Sequence, residues 1–114
     1  MTDIKWYWEK GVCGLVAEGH AAYEPGNDIV CSAISALVQT LYAGLEMRCY
    51  ASVTRQQESG WFDINVAVTE KNRERVKVLF DSVVFGLELI AREYPENVRI
   101  ERVKGEGETS PNTL

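Results

Sequence analysis

The chain has 114 residues, the size of one domain, and its 46% hydrophobic and 25% charged residues are typical of a globular protein. Its net charge of -5 excludes the basic surface that a general nucleic-acid binder needs. The sequence has no run of about 18 apolar residues and no pattern of a secretory signal at its start. We therefore expect a cytoplasmic protein that neither spans a membrane nor binds nucleic acid directly.

The N-terminal segment has the period-two pattern of a β-hairpin. Apolar and polar residues alternate from residue 3 to 9, a turn is predicted at 9–11, and the returning strand covers 12–17. Gly14 and Gly19 weaken this second strand. Each glycine indicates either a bulge or a place where another backbone passes close.

A long amphipathic helix follows a short loop. Residues 24–27 contain Pro, Gly and Asn, which favour a turn, and Asp28 then has the chemistry of a helix N-cap. We predict that the helix starts at or near Asp28 and ends near residues 44–46. Its apolar residues recur at helical spacing and make one buried stripe: Val30, Ile34, Leu37, Val38, Leu41 and Leu45.

The second half of the chain repeats this order of elements. Strands are predicted at 49–55 and 61–69, joined by a loop at 56–60. A second amphipathic helix covers 72–94 and is followed by a last strand at 97–104.

The predicted order is ββαββαβ, in the α+β class. We expect a two-layer sandwich in which two helices cover one face of a largely antiparallel five-stranded sheet. Residues 1–104 form this single domain, and residues 105–114, which are polar with Gly and Pro, form a flexible tail.

The cysteines and the single histidine decide which chemistry is available. Cys13, Cys31 and Cys49 have no CxxC or zinc-like spacing, so no metal or cofactor is expected. Cys31 falls in the first turn of the predicted helix, where the helix dipole favours a thiolate. His20 ends the second strand, and together they suit a cysteine-nucleophile hydrolase. The residues alone leave open a buried Cys31 and a surface His20.

One contiguous signature resembles the ribosomal-processing cysteine proteases (Prp) of Firmicutes and their phages. These are small cytosolic homodimers that trim a short N-terminal extension from a large-subunit ribosomal protein, cutting after an aromatic pair and before a small residue. The signature covers about a quarter of the chain. It consists of Gly19-His20-Ala21, Gly26, Asp28-Ile29-Val30-Cys31, Ala33 and Ser35-Ala36-Leu37-Val38.

The resemblance implies a role for each site residue. His20 is expected to be the general base and acid and Cys31 the nucleophile, while Gly19, Asp28 and Ser35 bind substrate or shape the site. The loop at 24–27 is expected to gate the site, although its proline departs from the family pattern. So does Ala22, which stands where Gly often follows the Gly-His-Ala.

Three further expectations concern the surroundings of this dyad. The N–H of Cys31 is expected to be an oxyanion donor. The apolar residues Val84 and Phe85 of the second helix suggest a helix-mediated homodimer. Five aromatic residues are candidates to line a groove for the peptide substrate, although ordinary core or surface packing is the stronger expectation for any single one: Trp6, Trp8, Tyr23, Tyr42 and Trp61.

Two other classes of protein remain possible from the sequence. The first is a non-catalytic ribosome- or phage-associated interaction module with the same fold. The second is a different thiol enzyme, such as a small acyltransferase, which would transfer the acyl group to an acceptor other than water.

Overall fold

The computed structural model of the protein describes residues 1–23 and 28–104. The predicted tail at 105–114 lies outside them. The elements follow the predicted order: β1 (Thr2–Glu9), β2 (Val12–Glu18), α1 (Ile29–Met47), β3 (Val53–Glu58), β4 (Trp61–Ala67), α2 (Arg73–Glu93) and β5 (Val98–Arg102).

The five strands form one mixed sheet in the order β3-β4-β2-β1-β5. All neighbouring pairs are antiparallel except β1 and β5, which are parallel. This confirms the predicted α+β fold with a largely antiparallel sheet. The central strand β2 therefore has β1 on one side and β4 on the other.

The core lies between the sheet and the two helices, which pack against each other. Leu15 of β2 pairs with Trp6 of β1 and with Ile64 of β4, so these side chains share the inner face. The rings of Trp6 and Trp8 pack against Phe80 of α2. Five residues of the predicted helical stripe are buried on α1: Val30, Ile34, Val38, Leu41 and Leu45.

A contact on the outer face of the sheet explains why residue 14 is a glycine. The Tyr7 hydroxyl donates a hydrogen bond to Oδ1 of Asn65 across the sheet. A Cβ on Gly14 would clash with the Tyr7 ring and would lie 2.7 Å from the carbonyl oxygen of Ile64. Gly14 therefore leaves room for the Tyr7 ring to lie over the strand, which agrees with the expected close approach.

Three predicted boundaries differ from the structure, at the end of the first helix and at both ends of the strand that follows it. Helix α1 continues to Met47, and β3 begins only at Val53 and runs on to Glu58. The residue just beyond the helix that takes a left-handed conformation is Tyr50, with φ 55°. No glycine follows the last residues of the helix, so the sequence lacks the ordinary signal for a helix end.

Among the described residues, α1 is the one helix long and apolar enough to cross a membrane by length and composition alone. This helix does not count as an apolar run in the sequence because Ser, Thr and Gln interrupt its apolar residues. This criterion is weak evidence for a span. The buried stripe of α1 packs on the sheet, as in the core helix of a globular domain.

Candidate active site

The start of α1 is built around Asp28, as the sequence predicts. The Asp28 backbone is extended, and its Oδ1 accepts hydrogen bonds from the N–H groups of Val30 and Cys31, both at 3.0 Å. Its Oδ2 accepts one from the N–H of Tyr23 at 2.9 Å. These donors, the Cys31 N–H first among them, lower the pKa of the Asp28 carboxyl. Asp28 therefore joins the helix start to the segment that follows His20.

Cys31 lies in the first turn of α1 and is partly exposed. Its sulfur accepts a hydrogen bond from the N–H of Ala21 at 3.2 Å. Ala21 follows His20 directly in the chain, so this bond holds the sulfur against the histidine-bearing segment. The sulfur therefore lies between a backbone N–H of the histidine segment and the first turn of the helix.

His20 and Cys31 line one cavity of about 220 Å³ between the N-terminal half of α1 and the β3–β4 hairpin. The predicted site residues Gly19 and Ser35 line it as well. Its other walls come from Thr2, Ala17, Ile34, Val38, Gln39, Gln57, Glu58, Gly60, Trp61 and Phe62. The structure thus brings four of the five predicted site residues to one cavity, and the fifth, Asp28, contacts Cys31 directly.

The β3–β4 hairpin supplies a wall that the sequence analysis missed. Because Glu18 of β2 pairs with Trp61 of β4, Gly19 lies opposite Gly60 of the hairpin turn. The N–H of Gly19 donates to the carbonyl oxygen of Gly60 at 2.8 Å. The position of this wall depends on the register between β2 and β4, which no local sequence pattern specifies.

The segment after His20 is held by the opposite edge of the sheet. Ala21 is 1% exposed, and its carbonyl oxygen accepts a hydrogen bond from Nδ2 of Asn97 at 2.9 Å. The Tyr23 ring packs edge-on against Tyr94, with ring centroids 5.2 Å apart. Ala22 has φ 57°, a left-handed conformation that suits Gly better. The positive φ gives a physical reason for the Gly that the resemblance implies at this position. The expected gating loop at 24–27 lies outside the described residues.

The predicted aromatic groove and oxyanion donor need correction. Of the five aromatic residues, only Trp61 lines the cavity. Trp6 and Trp8 do not line the cavity, because they pack on Phe80 of α2. Tyr23 contacts Tyr94, and Tyr42 lies under the guanidinium of Arg55, 4.3 Å from the ring centroid.

The predicted role of the Cys31 N–H as an oxyanion donor is wrong, since this N–H donates to Asp28.

The other two cysteines belong to the core. Cys13 is 0% exposed, and burial raises its thiol pKa to about 12. Cys49 is 4% exposed, and burial raises its pKa as well. Within residues 1–23 and 28–104, no three His, Cys, Asp or Glu side chains come together as a metal site would require.

A family model described as cysteine protease Prp matches residues 1–99 of the chain. The ribosomal processing cysteine protease Prp of Bacillus subtilis (strain 168) is 26% identical over 97 residues. The match covers 81% of this chain and 87% of the relative.

Two crystal structures are similar to this fold. A Streptococcus mutans protein matches with a TM-score of 0.76 and 28% identity, over 92% of this chain and 96% of that one. The ribosomal processing protease Prp of Staphylococcus aureus, in complex with a covalently linked product peptide, matches with a TM-score of 0.78 and 22% identity. That match covers 90% of this chain and all of the other. At this identity the second likeness shows the fold alone.

Proposed function

We propose, from the premise that the chain belongs to the Prp family of ribosomal-processing cysteine proteases, that Cys31 and His20 form its catalytic dyad. The observation that carries the proposal is that both side chains line one cavity, with the Cys31 sulfur bound to the N–H next to His20. Cys31 is the cysteine that lines this cavity, whereas Cys13 and Cys49 belong to the core.

The dyad hydrolyses a peptide bond in two steps. His20 accepts the proton of the Cys31 thiol, and the thiolate attacks the carbonyl carbon of the scissile bond. The C–N bond breaks as His20 returns the proton to the departing amine, which leaves a thioester on Cys31. Water then attacks the thioester with His20 as the base, and the products are the free carboxylate and the free thiol.

The oxyanion of the tetrahedral intermediate needs a donor other than the Cys31 N–H. The N–H of Ala21 is directed at the sulfur from 3.2 Å, so it lies close to the carbon that the sulfur attacks. We assign this N–H as an oxyanion donor. It passes from the sulfur to the carbonyl oxygen as the tetrahedral intermediate forms, and the negative charge on that oxygen is lost when the intermediate collapses to the thioester.

The substrate in this proposal is the N-terminal extension of a large-subunit ribosomal protein, cut after an aromatic pair. Ile34, Val38, Trp61 and Phe62 give the cavity apolar walls. Its volume of about 220 Å³ is below the roughly 300–1,000 Å³ of sites for drug-sized ligands, so it suits a side chain of an extended peptide. The S. aureus protease has also been solved in complex with a substrate peptide.

The test is cleavage of a peptide that carries an aromatic pair followed by Ala, read by mass spectrometry. Cys31→Ala and His20→Ala should each lower the rate by roughly 10³-fold or more with little change in Tm. Cys49→Ala, which removes a thiol outside the cavity, should retain cleavage. In ¹⁸O-labelled water the new carboxylate should gain the label, because water is the final nucleophile.

Three outcomes would contradict the proposal. Cleavage that survives Cys31→Ala would remove the nucleophile assignment. A peptide that binds the wild-type protein without being cut would favour the non-catalytic interaction module. A product joined to an added amine, without the ¹⁸O label, would favour an acyltransferase.

We also propose that the protein forms a homodimer through its helices. Val78 and Phe85 of α2 are 68% and 57% exposed. A groove of about 630 Å³ lies between α1 and α2 and is lined by Gly44, Val78 and Leu79, among others. Val84 does not contribute, since it is 5% exposed in the core. An apolar face of this kind is typical of a surface that a second copy covers.

A further inference from the structure

The imidazole of His20 occupies the place where a side chain of residue 60 would be. Gly60 ends the two-residue turn between β3 and β4 and has φ +75°. A Cβ built on Gly60 would lie 2.8 Å from Nε2 of His20 and 3.4 Å from Cδ2 and Cε1. Real Cβ atoms essentially never approach to 2.8 Å, so any side chain at position 60 displaces this ring.

The backbones on either side of this contact are fixed to each other. The N–H of Gly19 donates to the carbonyl oxygen of Gly60 at 2.8 Å, directly after the last register pair of β2 and β4. The hairpin turn and the histidine segment therefore cannot move apart without breaking this bond. A methyl group at position 60 is accommodated by rotation of the imidazole, the flexible partner in the contact.

We propose that Gly60 is a positioning residue for His20. Because Gly60 has no side chain, the imidazole of His20 can lie directly against the hairpin turn. In this position the ring is oriented toward the cavity that His20 shares with Cys31. This role rests on the proposed Cys31–His20 dyad. Gly60 contributes no reacting atom and acts through the orientation of the base.

The positive φ of the turn already favours glycine at position 60, and the chain contains a comparison that isolates the added contact with His20. Gly11 holds the same place in the two-residue turn between β1 and β2, with φ +85°. Two-residue hairpin turns favour glycine because they require positive φ. A Cβ on Gly11 would meet nothing within 4 Å. Gly11→Ala therefore costs backbone strain only, whereas Gly60→Ala adds displacement of the imidazole.

The experiment compares Gly60→Ala with Gly11→Ala in the full chain. Both variants should lose similar stability, measured as Tm. The kcat for the aromatic-pair peptide should fall roughly 10²-fold in Gly60→Ala alone, because about 1 Å of misplacement costs that much. His20 is the only histidine in the sequence, so its ring gives a single set of imidazole NMR signals. The chemical shifts of these signals should change in Gly60→Ala and stay the same in Gly11→Ala.

His20→Ala, measured in parallel, separates the two proposals. If His20→Ala cleaves normally, the dyad itself is wrong. If His20→Ala is inactive while Gly60→Ala matches Gly11→Ala in kcat and in the imidazole signals, the dyad stands and the positioning role is overturned. Should Gly60→Ala fail to fold, Gly60→Asn replaces it with Gly11→Asn as control. Asn tolerates positive φ and still carries a Cβ.

Discussion

Cys31 differs from the other two cysteines in what surrounds its sulfur. The sulfur lines the cavity and accepts the N–H of Ala21. Cys13 and Cys49 are 0% and 4% exposed, and burial raises the pKa of both thiols. The thiolate, not the thiol, is the reacting species, so the three residues are expected to differ in reactivity.

Iodoacetamide near pH 6 should modify Cys31 well ahead of Cys13 and Cys49. The pKa of Cys13 is about 12, so its thiolate fraction stays negligible even at pH 9. Mass spectrometry of digested samples over time measures the three rates. In denaturant the rates should converge, which controls for local sequence. Equal rates in the native protein would remove the case for an activated Cys31.

At the scale of the element, the start of α1 is the feature that the sequence predicts best. Asp28 is an N-cap with two helix N–H donors, and the helix begins at Ile29. The same carboxylate accepts the N–H of Tyr23 from the preceding segment. One side chain therefore fixes both the helix that carries Cys31 and the chain that carries His20.

Asp28→Ala should lower the Tm and the cleavage rate together, because it leaves three N–H groups without their carboxylate partner. Asp81→Ala is the matched control, since it removes an exposed carboxylate that pairs with Lys77 at i,i+4. Surface pairs of this kind contribute little, so its Tm should stay close to wild type.

The effect of Asp28 should also depend on pH. The native contacts lower the Asp28 pKa from its ordinary value of 3.8, so the folded protein binds this proton less readily than the unfolded chain. The stabilisation is present above pH 3.8 and is lost as pH falls through the lower, folded-state pKa. The Tm difference between wild type and Asp28→Ala should therefore shrink in acid. A difference that stays constant down to pH 2 would contradict the capping role.

At the scale of the whole molecule, helix α2 presents exposed apolar side chains, Val78 and Phe85, beside the groove between the two helices. Val78 itself lines this groove. The active-site cavity has a different lining, on the side of the β3–β4 hairpin. Changes at Val78 therefore test assembly without touching the dyad.

Val78→Glu should convert a wild-type dimer into a monomer, because it places a charge in an apolar interface. Gln56→Glu adds the same charge at an exposed position on β3 and should leave the dimer intact. Sedimentation velocity at micromolar concentration measures both. A monomeric wild-type profile at that concentration would argue against the dimer.

The sequence by itself determined the order of the elements and the cap at Asp28, and it singled out His20 and Cys31 as the candidate dyad. Each depends on local chemistry: alternation for strands, helical spacing for the buried stripe, and a thiol at a helix N-terminus. Only the tertiary structure decided that β2 pairs with β4, which brings Gly60 against His20, and that the N–H of Ala21 reaches the Cys31 sulfur. Strand order and register depend on contacts between residues far apart in the chain, so no local pattern specifies them.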